Sequence, residues 1–217
     1  MPARLSYENP DNISATMKKT ISFLAGVALF GAAAFTSAEA PAIGSDAPQF
    51  TLSDTHGKEH SLYDFGGSVV VLEWINFDCP FVARHYASGH LPALQKRVTE
   101  AGGTWLAICS SAEGEQGFFE PEAMNERAEK EGFAGTAILY DTDGTVGRAF
   151  GAPVTPTIVI IGEDGTVAYW GAVDSDARGG AEDVTDYVTL ALDALAAGEE
   201  IANPQTRPYG CSVKYAE

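Results

Sequence analysis

The chain predicts an α/β fold: a central mixed sheet flanked by helices, with a C-terminal tail. Three observations point to it. Strand and helix patterns alternate early, which implies βαβ units and a parallel core. Two apolar runs later straddle the turn "GEDG", a hairpin signal that adds antiparallel strands. A last amphipathic helix then gives way to the polar tail "ANPQTRPYGCSVKYAE".

Each element has its own signature. "PAIGSDAPQFTLSDTHGKEHSLYDF" reads as an edge strand or hairpin with polar turns. Residues 69–75 are continuously apolar except for Glu73, which suits a strand buried on both faces. Pro80 opens a helix as its first residue. Gly89 and Pro92 kink or split that helix before Ala101 and Gly102. A second buried strand covers 104–108, a polar helix 121–130 and a short strand 137–140. Residues 143–150 make a helical turn or two. Strands 157–161 and 167–170 form the hairpin, and 184–197 the last helix.

Composition bounds the function. The chain has 217 residues and 45% hydrophobic content, enough for one domain with a real core. Its formal charge of -17 excludes nucleic acid and anionic membrane as natural partners. The N-terminus reads as a secretory signal over residues 1–40, with a start possible at Met17: Met17-Lys18-Lys19, an apolar run over 21–35, then "TSAEA". The run is short for a spanning helix. Cleavage after Ala38 is favoured over Ala40, which Pro41 follows. The folded domain is then 41–217, periplasmic or secreted, with no membrane contact after signal removal. Disulfides persist in such a compartment. The odd number of cysteines, Cys79, Cys109 and Cys211, argues against a purely structural disulfide framework and for at least one reactive thiol.

Three places carry chemistry. Cys79 sits where the first buried strand runs into a helix, followed at once by Pro80. Helix N-terminal N–H groups and the dipole stabilise a thiolate there; Asp78 opposes it. Glu73, six positions earlier, is a carboxylate inside an apolar strand. Desolvation raises its pKa into a range useful for proton transfer. A strand face turned to solvent is the alternative. In "PVTPT", Thr155–Pro156 is a candidate cis bond just before a strand. There it would bare backbone for a substrate or partner strand. Other features weigh less. "DTDG", Asp141 to Gly144, lacks the remaining ligands of a calcium loop and reads as a turn. His56, His60, His85 and His90 show no metal-site spacing. Arg84 and His85 fall off the cysteine's face of the helix and are expected to face solvent.

The element order is that of thioredoxin-like proteins, and the motifs extend the likeness. "CPFVARHY", "TPTIVIIGEDGTVAYWGAVD" and "TRPYGCSVK" resemble, in order, the motifs of the alkyl hydroperoxide reductase/thiol-specific antioxidant (redoxin) group, closest to its peroxiredoxin-like branch, over about 41–214. The resemblance places Glu73 at the buried acid of thioredoxins, Cys79-Pro80 at the active junction and Thr155-Pro156 at the family's cis-proline. There are departures. Asn76 stands where a Thr or Ser holds peroxide, and Leu72 replaces an upstream proline. Val82 stands where dithiol thioredoxins carry a second cysteine. Another thiol must therefore finish the chemistry of an oxidised Cys79. The resemblance implies Cys211, in a mobile tail; Cys109, ending a neighbouring strand, is the geometric rival, and an external thiol is the third possibility. The reading is a thiol oxidoreductase that reduces peroxide with catalytic Cys79, Glu73 and Cys211. Pro80, Asn76, Thr155 and Pro156 line the substrate position. It uses no cofactor or metal. Its partners are a peroxide or disulfide substrate and an external thiol reductant, a thioredoxin-like protein. Disulfide exchange with a partner protein is the alternative activity, and a non-enzymatic binding module with a structural disulfide the third.

Overall fold

The computed structural model describes residues 39–217. The expected signal segment lies outside the described residues but for its last two positions. Among the described residues no helix is long and apolar enough to cross a membrane.

A small antiparallel ladder of β1 (Thr51–Ser53) and β2 (Glu59–Ser61) comes first, as the polar turns predict. β3 (Val70–Trp74) follows and leads into α1 (Pro80–Ala87) and α2 (His90–Glu100). Gly89 separates the two helices at φ 76, the left-handed conformation that glycine adopts at no steric cost. Pro92 sits in the first turn of α2, where no intrahelical donor is lost. Then come β4 (Thr104–Cys109), α3 (Pro121–Glu131), β5 (Ala137–Tyr140), α4 (Thr145–Ala149), β6 (Val154–Thr155), β7 (Thr157–Ile161), β8 (Val167–Gly171), α5 (Tyr187–Ala197) and β9 (Cys211–Ser212). The last helix starts three residues later than its apolar pattern suggests. Asp186 caps it, its side chain accepting from the Thr189 N–H at 2.9 Å, and Val184 stays exposed.

The central sheet has the order β5-β4-β3-β7-β8. β3 pairs in parallel with β4, and β4 with β5; β7 and β8 run antiparallel. This is the expected mixed sheet of a thioredoxin-like fold. Side chains alternate across it. Val70, Leu72 and Trp74 join Leu106, Ile108, Val159 and Phe150 on one face. Val71 joins Trp105, Ala107, Ile158 and Tyr169 on the other, under Leu91, Leu94 and Val188 of the helices. The same alternation sends Glu73 into that second face, fully buried, and so excludes the solvent-facing alternative.

The tail corrects the expectation of a mobile segment. It is strapped along the domain by hydrogen bonds. Thr206 N donates to the Trp170 carbonyl (3.0 Å), and Trp170 N to that of Pro204 (2.9 Å). β9 then pairs antiparallel with β6, placing Cys211 opposite Thr155. Beyond it, Ala112 N donates to the Lys214 carbonyl at 2.8 Å. Single-strand pairings at this sequence distance leave no periodic trace in a short polar stretch.

Candidate active site

Cys79 is the N-cap of α1, and Pro80 is its first residue. The junction is tight: Cys79 N donates to the Asn76 carbonyl and Ala83 N to the Cys79 carbonyl, both at 2.9 Å. The Cys79 thiol is fully buried and donates to the Thr155 carbonyl at 3.1 Å. The Thr155–Pro156 bond is cis, as expected. Burial works against ionisation of this thiol, but donors outweigh it. The Val82 N–H at the helix start, the thiol and N–H of Cys211 and the Thr155 hydroxyl together hold Cys79 below the usual thiol range. Asp78, expected to oppose the thiolate, is exposed and lies 3.6 Å from Arg127.

All three cysteines are free thiols. Cys211 is the one brought to Cys79, and the β6–β9 ladder delivers it. Burial, together with the hydrogen bond and charge of Cys79, pushes its thiol up to about 11. Gly210 makes this approach possible. It holds φ 151, and a Cβ there would stand 1.9 Å from the Thr155 carbonyl oxygen. Cys109 packs elsewhere, its Sγ 3.5 Å from the Gly117 carbonyl, and burial raises its thiol to about 11.

Glu73 lies under α1 and α2 and accepts from three side chains: Trp105 Nε1 (2.8 Å), Gln95 Nε2 (3.0 Å) and Tyr86 Oη (3.1 Å). Gln95 is itself fixed, accepting from Ala134 N at 2.8 Å. Burial pushes the Glu73 carboxyl up to about 7 in spite of these donors. Among the described residues no hydrogen bond joins it to Cys79.

A family model described as "AhpC/TSA family" matches residues 43–170. The chain belongs to the AhpC/TSA family. It is 33% identical over 136 residues to the thiol-disulfide oxidoreductase ResA of Geobacillus thermodenitrificans (strain NG80-2), covering 61% of this chain and 71% of the relative. Among solved structures it is similar to an uncharacterized conserved protein of Geobacillus kaustophilus, with TM-score 0.72 and 29% identity over 81% of this chain and 93% of the other. A hypothetical protein of Sinorhizobium meliloti 1021 has TM-score 0.69 and 25% identity, over 82% and 97%.

Within this family frame two expectations change. Asn76 was expected to face substrate. Its amide is buried and engaged at both ends, Nδ2 donating to the Gln116 carbonyl (3.3 Å) and Oδ1 accepting from Asp78 N (2.9 Å). It shapes the loop before Cys79. Arg84 and His85 were expected in solvent. Instead His85 is buried and Arg84 half-buried, because the tail returns over α1. Tyr209 Oη lies 3.1 Å from His85 Nε2 and 3.2 Å from an Arg84 Nη, and donates to Asp174. Two residues went unsuspected in the sequence. Tyr209 anchors the strap two positions before Cys211. Asp174 closes the stretch "TPTIVIIGEDGTVAYWGAVD" just after β8, and Tyr209 lies inside "TRPYGCSVK", but neither stretch announces that the two side chains meet.

Proposed function

We propose that this chain is a thiol–disulfide oxidoreductase whose Cys79 thiolate exchanges with a disulfide of a partner protein and whose Cys211 resolves the product. The observation that carries it is the β6–β9 pairing, which sets Cys211 against the more acidic Cys79 thiol. Relatedness to a protein named as a thiol-disulfide oxidoreductase favours exchange over peroxide reduction. So does Asn76, whose amide is spent on backbone.

The cycle balances as follows. The Cys79 thiolate attacks one sulfur of the partner disulfide, forming a mixed disulfide and releasing the other sulfur as a thiolate. Cys79 is now uncharged, so its charge and hydrogen bond no longer hold the Cys211 proton, and Cys211 ionises more readily. Cys211 then attacks Cys79 Sγ and expels the second partner thiolate. The partner has gained two electrons, and the enzyme holds a Cys79–Cys211 disulfide. An external dithiol, of the kind a thioredoxin-like protein supplies in the exported compartment, returns the enzyme to the dithiol. Opening of the two-residue β9 ladder bares the strand edge before Pro156 for the partner's chain. The Thr155 hydroxyl, buried beside Cys79 and engaged by no other group, is free to donate to the charge that develops there. Pro80 and Asn76 fix the junction; Glu73 accepts and returns protons.

Mixing the reduced protein with a model protein disulfide and, separately, with hydrogen peroxide tests the reading. Peptide mapping should find Cys79–Cys211 after the disulfide, and Cys211→Ser should trap a mixed disulfide at Cys79. Oxidation by peroxide alone, with no exchange, would restore the peroxidase reading. Pairing of Cys79 with Cys109 would end the cycle as written.

A further inference from the structure

We propose that His85, His90 and Asp174 form a binding site for a divalent transition-metal cation of the zinc type. The site contains no cysteine. One ligand atom from each residue lies within 4.8 Å of the other two. Tetrahedral ligands at ~2.0–2.2 Å from zinc stand roughly 3.4 Å apart, so side-chain rotations of about an ångström close the set.

The fold brings the three together. His85 lies in the last turn of α1 and His90 opens α2, with the turn at Gly89 between them; their ring centroids are 5.6 Å apart. Asp174 arrives from the segment after β8. His90 and Asp174 each keep an atom free for a cation, while His85 Nε2 lies 3.1 Å from the Tyr209 hydroxyl. His90 Nε2 lies 2.8 Å from Asp186 Oδ2, the carboxylate–histidine pairing that orients a ligating imidazole, and leaves Nδ1 for the metal. The Asp174 Oδ1 accepts from Asp176 N at 2.9 Å and from the Tyr209 hydroxyl; its Oδ2 takes no hydrogen bond among the described residues. The carboxylates of Asp174 and Asp186 offset the incoming charge. Arg84 opposes it, but its guanidinium is drawn to the Asp176 carbonyl at 2.6 Å. A cleft of about 540 Å³ opens beside Asp174 and Tyr209. Imidazole and carboxylate suit zinc, and three protein ligands leave a fourth position for water. A bound cation would fix Asp174, on which Tyr209 rests, and so brace the strap that carries Cys211.

The test uses the untagged full chain with Cys79, Cys109 and Cys211 all changed to Ser, which removes thiol ligands. Zinc is titrated by calorimetry and in competition with a chromophoric chelator. One equivalent should bind in the micromolar range or tighter, and the thermal midpoint should rise with zinc. His90→Ala and Asp174→Asn in this background should each weaken binding about tenfold or more, while exposed His56→Ala leaves it unchanged. Circular dichroism checks that each variant is folded. No saturable micromolar binding, or equal binding by the His90 and Asp174 variants, overturns the site. Should the serine background misfold, cobalt(II) in the wild-type chain decides. Visible d–d absorption without a thiolate charge-transfer band supports the site; a thiolate-bound spectrum that the His90 and Asp174 changes leave intact overturns it.

Discussion

Cys79 and Cys109 follow from the same architecture and behave in opposite ways. Each lies at or just beyond the carboxyl end of a parallel strand, and each is 0% exposed. Burial alone would push both thiols up, and at Cys109 it does, to about 11. At Cys79 the helix start and the β9 strand supply donors that reverse the outcome. Accessible surface does not separate the more acidic thiol from the less acidic one here. Donor geometry does. What covers them differs too: both belong to one apolar cluster, but part of the cover over Cys79 is a two-residue ladder. Short edge pairings open at low free-energy cost; cores do not.

The largest effect tests the reactive side of this contrast. Cys79→Ser should remove disulfide exchange by at least ~10³-fold, the order seen when a nucleophile is deleted. Single-turnover kinetics with a protein disulfide would show it. Residual exchange carried by Cys109 would break the comparison outright.

Glu73 sharpens the same point with a carboxyl, since it too is buried among donors, yet here burial wins. A rise from 4.5 to about 7 makes ionisation in the folded chain cost about 3 kcal/mol. The folded form holds its proton where the unfolded chain has lost it. This group's contribution is therefore fully present below pH 4.5 and is lost as pH rises through 7. Gln resembles the protonated carboxyl and cannot titrate. The stability difference between Glu73→Gln and the parent, from urea unfolding, should therefore shift toward the variant by about 3 kcal/mol between pH 4.5 and 8. A difference independent of pH would show that Glu73 ionises normally.

Gly210→Ala acts on the donors of Cys79 without touching its thiol. The added Cβ meets the Thr155 carbonyl oxygen at 1.9 Å, and both partners are backbone, so the ladder must part. Cys79 then loses its Cys211 donors. Its alkylation profile should move to higher pH, Cys211 should alkylate faster, and formation of the Cys79–Cys211 disulfide should slow by about tenfold, as loss of positioning costs. An unchanged alkylation profile would mean that the helix start alone sets Cys79.

These contrasts were partly legible in the sequence. The strands, the split helix at Gly89, the buried Glu73 and the cis Thr155–Pro156 bond follow from local pattern: periodicity, punctuation by Gly and Pro, and a charge inside an apolar run. The motif order also pointed to Cys211. What the sequence hid depends on long-range return of the chain. Arg84 meets Tyr209 across 125 positions, so helix-face geometry alone put Arg84 and His85 in water. Asn76 is spent on Gln116, 40 positions away. Asp174 joins two histidines that lie far earlier in the chain, with no spacing rule to announce it.

The smallest effect belongs to Cys109→Ala, and it is the control on which the comparison rests. The change deletes one sulfur from a fully packed site beside Gly117 and leaves a cavity of about that size. Loss of a single heavy atom from a core costs about 1–2 kcal/mol through lost transfer energy and incomplete collapse. That loss should appear as a lower urea midpoint with an unchanged slope. No donor to Cys79 comes from Cys109, so exchange rates and the pH profile of Cys79 alkylation should stay within about twofold of the parent, since distant sites act independently. A larger fall in exchange, with the fold intact, would make Cys109 a participant and erase the distinction between the two strand ends. A variant that loses only stability leaves the difference where the structure puts it: in the donors around each sulfur, at equal exposure.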